Sequence, residues 1–209
     1  MVNIDYIMNL PNHLSKKTSW VLVGPMGPEL GLSADAVLAV DGGLKYAPKA
    51  DFWVGDGDSN PALPLPEHFL KLSPEKDISD FRAALDLLPE AESILLWGFL
   101  GGRRDHELAI LGECHGYLKS NPGCQIKIYN KGVLAGVFLP TGVGRIEYTG
   151  SFSLFSLESA KVTLRGDVLY SLSSPINLAP LSSHGISNKA QGMIMTESDK
   201  PLLILLGDF

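Results

Sequence analysis

The sequence predicts an α/β protein, with an N-terminal Rossmann-like parallel sheet and its helices followed by a C-terminal antiparallel β-sandwich. Two observations predict it. Over the first two thirds of the chain, short apolar segments of strand length alternate with segments of helical periodicity. After about residue 130 the helical period stops, and short β-like pieces follow one another between Gly- and Ser-rich turns. A chain of 209 residues makes one large domain or two small ones. The change of texture places a boundary near Pro140–Thr141, giving an α/β domain over 1–140 and a sandwich over 141–209.

Taken in order, residues 1–17 read as a loosely docked leader. They show no basic stretch followed by an apolar block, so they do not resemble a secretory signal, and a cytoplasmic protein is expected. The segments SWVLVG (19–24), AVLAV (36–40), FWVG (52–55), SILLWG (93–98) and QIKIY (125–129) are strand-length and bounded by Gly, Pro, Asp or Asn. Several are apolar at consecutive positions, as strands covered on both faces are. Between them, Phe81, Ala84, Leu85 and Leu88 recur at helical spacing, and Leu108, Leu111 and Leu118 do so more loosely. The later pieces are VLAGVFL, RIEYTG, SFSLFSL, KVTLRG, MIMTE and PLLILL. No run reaches the roughly 18–20 apolar residues of a membrane-spanning helix. Cys114 and Cys124, the 2 cysteines, lack zinc-site spacing and read as buried thiols.

The charge balance is 17 Lys+Arg against 23 Asp+Glu, a net −6. A chain of that sign lacks the positive field that non-specific nucleic-acid binding or an anionic membrane surface requires. The acidic residues are not evenly spread. AVLAV runs into Asp41-Gly42-Gly43, and FWV runs into Gly55-Asp56-Gly57-Asp58-Ser59. Ligands of parallel α/β sheets bind at the carboxyl ends of strands, and glycine there lets backbone N–H groups approach phosphate oxygens. Asp56 and Asp58 together suit a hard cation such as Mg²⁺, which takes only one or two carboxylates from protein. Both motifs are also ordinary turn sequences.

Lys76-Asp77-Ile78-Ser79-Asp80 opens the next helical segment, with Asp77 or Ser79 as N-cap and Asp77 and Asp80 on one side if helical spacing applies. Gly101-Gly102-Arg103-Arg104-Asp105-His106 follows the strand SILLW. Its glycines and Arg103 suit phosphate oxygens, and His106 is either a polar helix-start residue or a base. Neither a G-x-x-x-x-G-K-[ST] loop nor a G-x-G-x-x-G after a strand is present.

In this order the blocks resemble thiamine pyrophosphokinase. That family carries Asp-Gly-Gly, Gly-Asp-x-Asp-Ser, Lys-Asp-x-[Ser/Thr]-Asp and Gly-Gly-Arg-x-Asp-His, matched at 41–43, 55–59, 76–80 and 101–106. Val162-Thr163, Gly166 and Tyr170-Ser171-Leu172 resemble a further family strand, and Gly185-Ile186-Ser187-Asn188 resembles its G-I-S-N segment. The blocks are scattered over residues 36 to 206. The resemblance implies transfer of a diphosphoryl group from ATP to thiamine, with release of AMP, by a homodimer that needs neither nucleic acid nor membrane. It implies Asp56, Asp58, Asp77 and Asp80 as catalytic Mg²⁺ ligands. Asp41, Gly42, Gly43, Ser59, Lys76, Gly102, Arg103, Asp105 and His106 would line the ATP site. Tyr170, Ser187 and Asn188 would contact thiamine from the other subunit.

The chain departs from the pattern in three places. Leu44-Lys45-Tyr46-Ala47-Pro48 replaces most of the helix expected after Asp-Gly-Gly, Gly57 replaces a larger residue between the two aspartates, and one extra residue precedes Tyr170. Lys45 would reverse the local charge beside the nucleotide. Three expectations follow: a divergent thiamine pyrophosphokinase, a diphosphokinase with another acceptor such as a pterin alcohol, or a non-catalytic thiamine- or nucleotide-binding protein. Asp41, Asp56, Asp58, Asp77, Asp80 and Asp105 equal in number the whole acidic excess of the chain.

Overall fold

In the computed structural model, residues 10–28, 31, 34–59, 64–88 and 91–207 are described. The parallel strands form where the sequence is apolar at consecutive positions. They are β1 (Ser19–Val23), β2 (Ala36–Val40), β3 (Phe52–Gly55), β5 (Ser93–Trp97) and β6 (Gln125–Asn130), with the short β4 (Phe69–Lys71) outermost. Their order is β6-β5-β1-β2-β3-β4, all parallel. The chain therefore reverses its direction of winding between β1 and β5. Helices α1 (Asp80–Leu87) and α2 (Arg104–Ser120) precede and follow β5.

Both faces of this sheet are covered, which is why its strands carry little alternation. On one face Trp20, Leu22, Leu38, Phe52, Ile94 and Leu96 pack with Phe81, Ala84 and Leu85 of α1 and Cys114 and Leu118 of α2. On the other, Val21, Val23, Ala39 and Trp53 pack with Leu44, Ala47 and Trp97. Cys114 and Cys124 are buried, and desolvation pushes the Cys124 thiol up to about 12. The leader is firmer than expected in its described part: Leu10 and Leu14 are buried in the first core. Residues 1–9 lie outside the described residues.

The C-terminal strands are β7 (Val133–Leu139), β8 (Gly142–Ser156), β9 (Ala160–Val168), β10 (Leu172–Leu178), β11 (Asn188–Ser198) and β12 (Leu202–Leu206). They are antiparallel, as the change of periodicity predicts. They do not, however, hydrogen-bond as separate sandwich sheets. β7 turns back antiparallel to β6 and pairs with β12, so one mixed sheet of 12 strands runs β10-β9-β11-β8-β12-β7-β6-β5-β1-β2-β3-β4. RIEYTG and SFSLFSL, which read as two pieces, form the single strand β8. β10 was not expected. Its Pro175 offers no N–H, and proline is tolerated on an edge strand such as this one.

β7 and β12 are where the two halves meet. Phe138 and Leu203 point into the first core, whereas Val137, Leu139, Leu202 and Ile204 point into a second core with Phe152, Leu154, Val162, Leu164 and Ile194. Burial on both faces explains the unbroken apolar run of β12. A further tie is ionic: Glu158, in the turn after β8, accepts from Lys119 Nζ and lies beside His115 Nε2, both of α2 and both at 3.0 Å, with Lys200 at 3.6 Å. Lys119 first, and then His115, hold the Glu158 carboxyl down at about 2.

Truncating Phe138 to Ala should destabilise the protein by about 3–5 kcal/mol. Fluorescence of Trp20, Trp53 and Trp97, all in the parallel half, should then follow the same guanidinium transition as circular dichroism, because the side chain supports strands common to both halves. A second expectation concerns acid. A carboxyl depressed in the folded state contributes stability above its ordinary value of 4.5, and that contribution disappears as pH falls toward about 2. Glu158→Gln should therefore flatten the acid-denaturation profile in that window, and an unchanged profile would refute the tie.

Candidate functional site

The site is built at the carboxyl ends of β2 and β3, next to the reversal between β1 and β5. β2 ends at Val40, and Asp41 adopts a left-handed φ of 47° before a short 3-10 turn over Asp41–Lys45. Such a backbone is uncommon for a residue other than glycine, so it needs support. Two groups supply it. The buried Trp53 of β3 donates its indole N–H to the Asp41 carbonyl at 3.0 Å. Ser59 Oγ lies 2.9 Å from Asp41 Oδ2.

The glycines of these motifs have packing reasons. A Cβ on Gly43 would come within 1.9 Å of the Val23 carbonyl oxygen at the end of β1. One on Gly55 would stand 2.6 Å from the Trp53 ring and 3.0 Å from the Asp41 Cα. Asp-Gly-Gly thus lets the turn fold onto β1, and Gly55 lets Trp53 slide under Asp41.

Asp41, Asp56 and Asp80 converge, each offering a carboxylate oxygen within 4.8 Å of the others, and all three are part-buried. Asp56 stands just past β3. Asp80 is the first residue of α1, presented there because Ser79 caps the helix by accepting the Arg82 N–H at 3.0 Å. Lys76 binds two of the three, its Nζ 3.0 Å from Asp56 Oδ2 and 3.1 Å from Asp80 Oδ1. Its hydrogen bond, with one from the Asp58 N–H, lowers the Asp56 pKa. Burial, reinforced by the charges of Asp41 and Asp56, raises that of Asp80 despite Lys76. Desolvation opposes the Lys76 charge, but its two carboxylate partners outweigh it and raise its pKa.

Two of the expected acidic residues stand apart. Asp58 is exposed, its carboxylate 2.9 Å from Ser59 Oγ. Asp77 is exposed and precedes α1, so the helical spacing that would place it beside Asp80 does not apply. Asp41, expected to line the nucleotide, is also the third carboxylate of the cluster.

The loop after β5 is held open by glycine. Gly98 and Gly101 have φ of 73° and 95°, and Gly101 N–H donates to Glu107 Oε1 at 2.6 Å. Arg103 and Asp105 form an exposed bidentate pair at the start of α2, which holds the Asp105 carboxyl at about 2. His106 is exposed in the first helical turn. β5 is two strands from β2, or about 10 Å at the usual strand spacing.

The loop after β1 is a part of this end of the sheet that sequence reasoning passed over. Gly24 N–H donates to the Trp97 carbonyl at 2.7 Å and Met26 N–H to that of Gly98 at 2.8 Å. A Cβ on Gly24 would meet the Gly98 carbonyl at 2.6 Å. The signal was present as Gly24-Pro25-Met26-Gly27 directly after the first strand.

Tyr170, Ser187 and Asn188 lie at the β9-β10-β11 end of the sheet, far in strand order from the carboxylates. Tyr170 is 63% exposed. Asn188 is buried, and its amide accepts from the Tyr170 N–H at 3.0 Å and donates to the Tyr170 carbonyl at 2.7 Å. Asn188 therefore holds Tyr170 in place. Ser187 has a left-handed φ of 61°, and its N–H donates to Ser153 Oγ at 3.2 Å.

This mixed sheet, parallel in its first half and antiparallel in its second, is a fold shared with solved thiamine pyrophosphokinases. Among solved structures, the chain is similar to thiamine pyrophosphokinase from Bacillus subtilis, at 24% identity and a TM-score of 0.70 over 92% of this chain and 100% of that one. The enzyme from Geobacillus thermodenitrificans matches at 23% identity and a TM-score of 0.68, over 91% and 98%. That from Candida albicans matches at 12% and 0.69, over 90% of each chain. No protein-family model matches the sequence, and no curated protein does. The resemblance carried by the motif blocks is thus borne out in the fold.

Replacing Asp80 by Asn should stabilise the protein at pH 7. A carboxyl raised in the folded state adds stability below its ordinary value of 3.8 and loses it as pH rises through the folded value. At pH 7 the charged Asp80 therefore opposes folding, and its removal should favour the folded state. The gain, read as a higher Tm, should vanish at pH below 3.8, where wild type is itself protonated. A lower Tm at pH 7 would show that the pairing with Lys76 dominates.

Proposed function

We propose that the chain is a thiamine pyrophosphokinase. Convergence of Asp41, Asp56 and Asp80, on a fold shared with thiamine pyrophosphokinases, is the observation that supports this reading. The hydroxyl oxygen of thiamine attacks the β-phosphorus of ATP, the bond from that phosphorus to the α,β-bridging oxygen breaks, AMP leaves and the hydroxyl proton is released. Such chemistry depends on alignment and charge neutralisation more than on a strong base. That need accords with a site rich in carboxylates, one lysine and one arginine, and with an exposed His106.

The donor set fits Mg²⁺: three carboxylates offering hard oxygen ligands in one place, already drawing an ammonium to them. Asp41, Asp56 and Asp80 would hold the ion, with Asp58 one residue further along. When bound, it would neutralise and align phosphate oxygens. Lys76 would turn toward a phosphate, Arg103 would exchange Asp105 for phosphate oxygens, and Gly102 and the other loop glycines would keep that approach open. Gly42, Gly43 and Ser59 would shape the site indirectly, through Asp41.

Tyr170 would lay its ring against the cationic thiazolium, with Asn188 fixing its backbone and Ser187 beside it. Since Tyr170 and the carboxylates lie at opposite ends of one sheet, the reading requires a homodimer in which one protomer's Tyr170 serves its partner's carboxylates. It also includes a cytoplasmic location and a functional division at residues 140/141 into nucleotide-binding and thiamine-binding parts, the latter sandwich-like. Among the described residues no helix is long and apolar enough to cross a membrane.

One observation favours a second reading, a thiamine- or nucleotide-binding protein without turnover. The segment after Asp41 is only a 3-10 turn, and Lys45 Nζ lies 5.5 Å from the centre of the Tyr46 ring rather than on an acidic partner. Incubation with Mg-ATP and thiamine distinguishes the two. Equal yields of AMP and thiamine diphosphate, separated by ion-exchange chromatography, are expected. Thermal stabilisation by thiamine without AMP would support the binding protein, and AMP release only with another alcohol, such as a pterin alcohol, would change the acceptor.

A further inference from the structure

Lys76 sits where a cation is wanted, and this has a consequence for how the site fills. Its ammonium is 3.0 Å from Asp56 and 3.1 Å from Asp80, two of the three clustered carboxylates. The pairing is sheltered, with side-chain exposures of 16% for Lys76, 12% for Asp56 and 19% for Asp80, so solvent screens it little. Without a positive charge here, three carboxylates would face one another across less than 5 Å. Lysine suits the position because it is a compact point charge on a flexible four-carbon stem, whereas arginine is a rigid fork. The residue also lies in the segment between β4 and α1, outside regular structure, so the ammonium can move without disturbing the sheet.

We propose that Lys76 is a built-in counterion, holding the position of the divalent cation until the ion arrives and then giving up Asp56 and Asp80 to it. The proposal rests on the reading of the cluster as a cation site. An ion entering alone must displace the ammonium, so it binds weakly. An ion entering with a polyphosphate gives the ammonium a new partner. Lys76 thereby links cation binding to nucleotide binding, and the site resists filling by a cation alone.

The test uses Tb³⁺ as the probe, without nucleotide. Trp53, bonded to the Asp41 carbonyl, serves as the sensitiser of its emission. Tb³⁺ is titrated into wild type, K76M, K76Q, K76R, D56N and K76M/D56N, with folding of each checked by circular dichroism, and Mg²⁺ is then used to displace the probe. The two neutral variants should each bind Tb³⁺ at least about tenfold more tightly than wild type, as expected when a like charge a few ångström away is removed. K76R, which keeps the charge, should stay within about threefold of wild type. If the neutral variants bind no more tightly than wild type while D56N abolishes the emission, the counterion role is overturned and the cation site survives. If D56N leaves the emission unaltered in both backgrounds, the cation reading itself fails, and this proposal with it.

Discussion

The hydrogen bond from the Trp53 indole to the Asp41 main-chain carbonyl is the contact from which the acidic site is built. It fixes a backbone conformation that aspartate rarely adopts, and that conformation turns the carboxylate toward Asp56 and Asp80 instead of out along the strand. The bond is possible only because the ring is packed with Val23 and Ala39 on the face of the parallel sheet opposite the helices, and because Gly55 leaves space above it. Apolar packing thus positions a charged site. Packed against residues of β1 and β2, the ring ties the Asp41 backbone to the sheet beneath it.

A second consequence of the architecture is that the carboxylate end and the antiparallel end are parts of one object. β7 and β12 supply side chains to two cores from opposite faces, and Glu158 ties α2 to the turn after β8. Residues placed at the two ends therefore keep a fixed relation to each other.

The sequence revealed what depends on local periodicity and failed where long-range packing decides. Five parallel strands and both helices were legible, because burial on two faces produces consecutive apolar residues and the helices carry their own repeat. β4 was invisible: three residues paired along one edge leave no pattern. β10 was hidden by Pro175, which argues against a strand except at an edge, and edges cannot be known before the sheet order is. The sheet's continuity was hidden too, since nothing local in VLAGVFL or PLLILL says that they pair with each other. In the site, the acidic motifs were legible but their grouping was not. The grouping of Asp41 with Asp56 and Asp80 was hidden because its backbone is held by a tryptophan twelve residues away. Asp77 was read with Asp80 because the sequence left the N-cap open between Asp77 and Ser79, and the structure uses Ser79. The packing demands on Gly43 and Gly55, from neighbouring backbone and ring atoms, were not legible in the sequence.

The outermost strands of the sheet carry one more implication. A long sheet with bare ends is a template on which further strands can be added, and unchecked addition leads to aggregation. Here one end is the three-residue β4, and the other is β10, whose pairing with β9 slips around a proline that has no N–H to donate. Both ends are poor templates. Strand addition is disfavoured at each terminus of the sheet, so its length is set within one molecule.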